Sequence, residues 1–434
     1  MMSEITGPVY PLERAEFIRA LATGHGRALI HAERHGTEGV RDEILDASLS
    51  PKTYDTQCNG YGEKWLARLC WQAGLVDTII SRRHAFEGGD GALRCRLLKE
   101  FALIGDMTAR PALREMCRFD AEWNDLLACD EIVELEGEKG FIFVAERLGE
   151  KLLDDKEFWV TSGLISLLDE KCGECAAIAI LERESQVNPR IAAYREAVLE
   201  DQARKKGYRK QPPPTADEVI DWILRPVKRV LGLIGYGRKA TAEDRLKVAA
   251  LNFTKMESVG LQNYLCYFQD TGFPEFREEH LALLEDAEER NRWRAAAVLS
   301  HHSDPALRKA AYEALSRGET ALFIRLLRSS GLAEDTEPLL EAISVPAILD
   351  NDDECHEIGS RLLDLVKTNP AMSDTRLPAW CYQHNSCRHC RRESVELMAE
   401  RSILPEWMAE ECLSDADEDI REIAAKYAGV PKRF

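Results

Sequence analysis

The chain has 434 residues, 45% of them apolar and 31% charged, which excludes a disordered polymer and a membrane-embedded bundle. That length exceeds one compact core and suits two or three domains or one elongated array. The formal charge of −19 favours solubility and opposes general attraction to nucleic-acid backbones or anionic lipid, without excluding a local basic face.

The opening Met1-Met2-Ser3-Glu4-Ile5-Thr6-Gly7-Pro8 has neither a basic start nor the apolar stretch of a secretory signal. No apolar run approaches the roughly 18 residues that span a bilayer, so a cytoplasmic protein with no membrane partner is expected. From Glu13 to Leu21 apolar residues recur at i, i+3, i+4 and i+7, the mark of an amphipathic helix, and the same spacing returns at 246–253 and 360–366. Gly24-His25-Gly26, Gly88-Gly89-Asp90-Gly91 and Asn369-Pro370 break the pattern. The thirteen cysteines are odd in number, and Cys70, Cys95, Cys117, Cys129 and Cys266 read as reduced core thiols on apolar helix faces.

The loop from Tyr54 to Glu63, with Cys58 in it, either presents a binding determinant or is an Asx-rich turn ahead of a helix. The segments closest to strands, 131–135 and 140–144, are short, and the second runs into a helical pattern, so the whole chain is expected to be helix–turn–helix. Cys172-Gly173-Glu174-Cys175 falls in an interhelical turn with no histidine nearby and reads as turn or core.

A boundary follows. Arg204, Lys205, Lys206, Arg209 and Lys210 precede Pro212-Pro213-Pro214, which cannot be helix interior, and Thr215 then caps the next helix. The expected organisation is an N-terminal helical-repeat half over 1–203, a basic Pro-rich linker over 204–215 and a C-terminal half over 216–434. With Lys228, Arg229, Arg238 and Lys239, the linker basics reverse the local sign of charge. That stretch is either an anion- or partner-binding ridge or a solvated linker plus one helix face.

Downstream a repeat emerges. In Asp304-Pro305-Ala306-Leu307-Arg308-Lys309-Ala310-Ala311 an Asp caps a helix, Pro occupies its first position, and small residues face inward. Asp417 to Ala425 repeats this, Arg110 to Arg114 keeps its Pro-Ala-Leu-Arg, and Trp293-Arg294-Ala295-Ala296-Ala297 keeps the small inner face. The Asp-x-x-(Leu/Ile)-Arg-x-x-Ala element resembles the second helix of HEAT repeats, and the chain as a whole resembles the uncharacterised bacterial HEAT-repeat proteins. That resemblance implies an all-α, HEAT-like α–α superhelix. It also implies ladder roles for Asp304, Arg308, Asp417 and Arg421, and it supplies no activity.

The densest constellation is Trp380 to Arg391, with three cysteines and two histidines. Aligned on the repeat, Cys387 falls at the capping position of Asp304, Cys390 at Leu307 and Arg391 at Arg308. A helix's first turn favours thiolate. Three readings stand: a zinc site of His384, Cys387 and Cys390, with Cys381, Cys355 or His356 as fourth ligand; a thiol-redox pair; or capping and core cysteines with no ligand. G-x-S-x-G, Walker A, H-E-x-x-H and dinucleotide signatures are absent. The expected function is a non-enzymatic scaffold that binds a protein partner on a concave helical surface, with no cofactor unless zinc. The alternatives are a nucleic-acid-acting protein like the HEAT-like DNA glycosylases, which the net acidity disfavours, or a zinc- or thiol-responsive scaffold.

Overall fold

The computed structural model describes residues 6–56, 60, 62–82, 91–119, 126–206, 213–226 and 228–431, with Lys206 as backbone only. Among these residues every regular element is a helix, and the one β contact is an isolated bridge between Phe119 and Leu126. No described helix is long and apolar enough to cross a membrane.

Local capping chemistry explains where several helices begin. Asp304 accepts the Ala306 amide at 2.8 Å, with Pro305 preset at the first helical position. Asp417 accepts the amides of Asp419 and Ile420 at 2.9 and 3.3 Å. Thr215 and Glu218 form a reciprocal capping box, as the chemistry after the prolines predicts. The two strand-like segments lie in the helices Cys129–Glu136 and Glu138–Asp154. Their apolar runs contain Phe141, Val144, Ala145 and Leu148, spaced to form one buried helical face.

Helices near in sequence pack side by side. In the C-terminal half the contacts run in order through Leu233–Lys239, Ser258–Phe268, Glu289–Leu299, Thr320–Leu326, Asp352–Thr368 and Arg388–Glu400. One apolar cluster gathers side chains from Leu12 to Val198, a second those from Ala216 to Leu397, and a third, smaller one those from Ala379 to Ala424. Apart from Ala416, the first ends at Val198 and the second begins at Ala216. The Pro189–Lys206 helix runs slightly past residue 203.

The halves also meet at their far ends. The Gly26–His35 helix packs on Glu406–Cys412, and Ala416, alone of its neighbourhood, belongs to the N-terminal cluster. The Ala416 amide donates to the Gly24 carbonyl at 2.9 Å, and Trp65 Nε1 donates to the Ser414 carbonyl at 2.9 Å. Arg27 pairs with the buried Glu411 at 2.9 Å. His25, fully enclosed, meets the Tyr382 carbonyl at 2.8 Å and Thr23 Oγ1 at 2.6 Å. Burial first, then the Arg391 and Arg27 charges, hold its imidazole well below the usual range. Gly26 makes this approach possible, because a Cβ there would lie 2.0 Å from the Glu411 carbonyl oxygen.

Candidate functional site

The stacked helices of the C-terminal half present a groove along one face. Its deeper part, about 570 Å³, is lined by Arg238, Asp270, Arg325, Arg328, Arg361, Asp364 and Lys367 among others. A second depression of about 400 Å³ shares Arg325 and Arg361 and adds Arg290, Trp293 and Arg294. The cations come from Leu233–Lys239, Glu289–Leu299, Thr320–Leu326 with the turn after it, and Asp352–Thr368.

Some of these cations are answered locally. Arg238 pairs with Asp270, Arg328 Nε with Asp364 at 2.5 Å, and Lys367 with Glu393 at 3.3 Å. Others are not. Nε and Nη1 of Arg294, Nε of Arg325, and Nε and Nη1 of Arg361 are buried N–H donors without an acceptor. Arg361 reaches Glu357 through Nη2 alone and lies over the Trp293 ring at 4.9 Å, a cation–π contact that fixes its plane. Burial, then the Arg361 charge, brings the Arg325 guanidinium down to about 10. That is the direction taken by a cation short of counter-charge. Several of the arginines lining the groove are therefore partly desolvated and incompletely satisfied.

No family model, curated protein or solved structure matches the chain.

The residues named from the sequence are distributed differently. Cys387 and Cys390 come together, and the histidine beside them is His356, not His384. The Cys387 and Cys390 sulfurs and a His356 ring nitrogen all lie within 4.8 Å of one another, and Cys390 Sγ is 3.5 Å from His356 Nδ1. His384 lies against Trp380 of its own helix, with the rings tilted and their centroids 5.5 Å apart. Burial brings it down to about 4, and the next-largest influences are the charges of Arg19 and Arg27. Cys381 Sγ faces the Cys390 carbonyl and the Asn385 amide, both at 3.9 Å. Burial pushes its thiol far up, as for a core cysteine. Cys355 Sγ donates to the Ile348 carbonyl at 3.1 Å.

Cys387 stands at the N-cap position of the Arg388–Glu400 helix, where the repeat alignment puts it. A hydrogen bond with the Cys390 side chain first, against burial, and then the Cys390 amide, the His356 charge and the His389 amide bring its thiol down to about 5, while the hydrogen-bonded Cys390 thiol goes up. Cys172 and Cys175 are exposed.

The described residues of the basic stretch have different surroundings. Arg204 and Lys205 both pair with Asp201 at 2.7 Å, Lys228 and Arg229 are exposed, and Arg238 alone of the group lines the groove. Arg209, Lys210 and Cys58 lie outside the described residues, as does the Lys206 side chain.

The expected ladder residues take two kinds of role. Asp304 and Asp417 cap their own helices. Arg308 reaches Asp335, 27 residues on, with both Nη atoms at 2.7 and 2.6 Å. Arg391 reaches Asp415, 24 residues on, with Nη2 3.0 Å from each carboxylate oxygen, and its Nη1 also holds the Thr23 carbonyl. Arg421 donates to the carbonyls of Asp415 and Ala416 at 2.7 and 3.2 Å. The carboxylates that answer the repeat arginines are thus Asp335 and Asp415, which sequence reasoning passed over.

Proposed function

We propose that the chain is a HEAT-like α–α superhelix acting as a non-enzymatic interaction scaffold, and that its groove seats an acidic segment of a protein partner. The carrying observation is the trio Arg294, Arg325 and Arg361, whose buried N–H groups lack acceptors. Donor groups in that state cost free energy until an acceptor arrives, so a carboxylate-bearing ligand gains more here than at a solvated arginine. The order of helix contacts through the C-terminal half supports the stacked-repeat reading. Charge decides between polyanions. A short acidic segment needs only the groove, whereas a nucleic acid extends beyond it over a chain of charge −19, where long-range repulsion opposes binding.

Fluorescence anisotropy tests this with a labelled Asp/Glu-rich peptide, an uncharged peptide of equal length, and single- and double-stranded DNA. The acidic peptide should bind, and R325A or R361A should weaken it about tenfold or more, a loss of about 1.4 kcal/mol or greater. Equal binding of both peptides overturns the proposal. Salt-steep DNA binding lost in the same variants would replace it with the nucleic-acid reading.

A further inference from the structure

We propose that Cys387, Cys390 and His356 together bind one divalent cation of the zinc class, tying the Asp352–Thr368 helix to the start of the Arg388–Glu400 helix. Tetrahedral zinc, with bonds of about 2.3 Å to sulfur and 2.0–2.1 Å to nitrogen, sets its ligand atoms roughly 3.5–3.8 Å apart. The His356–Cys390 separation of 3.5 Å already matches. Since all three atoms lie within 4.8 Å of one another, no pair has to close by more than about 1 Å.

The donor set selects the metal. Two sulfurs and an imidazole suit zinc and exclude magnesium and calcium, which demand oxygen. The metal takes both sulfurs as thiolates. On binding, any remaining thiol proton leaves to solvent. Both cysteines are buried, and the Tyr54 ring lies 5.5 Å from the His356 ring while its hydroxyl donates to Asp353 at 2.6 Å. These three residues supply three of the four tetrahedral corners.

The position gives the metal a task. Arg388, beside Cys387, reaches Thr53 Oγ1 at 3.4 Å, and Arg391, one turn on from Cys387, holds the Thr23 carbonyl. The helix start that the cation would fix is therefore one of the places where the two halves of the chain touch. Metal removal is expected to loosen that contact as well as the site.

The test uses the full chain, stripped with chelator under reductant and titrated with cobalt(II). One equivalent should give a thiolate-to-cobalt charge-transfer band with the intense visible bands of tetrahedral cobalt, and zinc should displace it. C387S and C390S should abolish the charge-transfer band or weaken binding at least about tenfold, and the double variant C172S/C175S should leave it unchanged. If the buried cysteine variants do not fold, H356Q, altering the more exposed ligand, should still lower cobalt affinity and remove the rise in Tm that zinc gives the parent chain. Absence of a charge-transfer band, its loss in C172S/C175S, or its persistence unchanged in folded C387S, C390S or H356Q overturns the proposal.

Discussion

Arg391 and Arg325 both sit on helices of the same stacked series, yet their surroundings are opposite. Arg391 is wholly buried against a wholly buried Asp415, and two of its three nitrogens have acceptors. Arg325, with Arg294 and Arg361 beside it, faces a groove and keeps buried donors unanswered. The first arrangement closes the electrostatics within the fold, at a desolvation cost that the paired geometry offsets. The second leaves part of that cost in place. On the proposed reading, the groove arginines differ from Arg391 in what answers them, not only in exposure.

The largest expected effect comes from opening a closed pair. Asp415→Ala leaves the Arg391 charge buried and unanswered, and should destabilise the chain by about 3–5 kcal/mol in urea unfolding. Adding Arg391→Met should recover much of that loss, and a cost below about 1 kcal/mol for Asp415→Ala alone would erase the distinction.

A smaller effect comes from Asp335 and its pH dependence. Burial pushes this carboxyl up, but hydrogen bonds from Arg308 and Tyr312 outweigh burial and hold it below the usual range. A carboxylate depressed in the folded state contributes stability that is present above its unfolded pKa. That stability is lost as pH falls from about 4 through the folded value. The gap in stability between the parent chain and D335N should therefore be widest near neutrality and shrink below about pH 4. A gap that does not change with pH would show that the contact acts by packing alone.

The smallest stability effect belongs to the groove. Arg325→Met removes a buried cation without stranding a partner, so stability should be unchanged or rise by up to about 1 kcal/mol, while acidic-peptide binding falls. A loss comparable to that of Asp415→Ala would place Arg325 among the structural arginines.

Local chemistry was the legible part. Thr215, Asp304 and Asp417 act within a few residues of themselves, so their capping roles follow from spacing, and the helical content follows from apolar period. Relations across helices were not legible in the same way. His356 is 34 residues from Cys390 and meets it only because two helices pack, whereas His384 is near in sequence but turned onto Trp380. The groove left a fainter trace. Arg294, Arg325 and Arg361 recur about one helix pair apart, a period visible only once one knows that those helices stack. The basic run at 204–210 drew attention by local density, but Asp201 takes up Arg204 and Lys205.

The contact between His25 and Tyr382 spans 357 residues of chain, which gives it a consequence in time. A ribosome adding about 5–20 residues per second delivers the second partner on the order of tens of seconds after the first. Throughout that interval the Gly26–His35 helix has no Glu406–Cys412 helix to pack on, and Trp65 lacks its Ser414 acceptor. The apolar surface they will cover is open to whatever else binds nascent chains. This joint can form only after the 357 residues between its partners have been made, so the lifetime of the unfinished joint is set by translation speed as much as by folding.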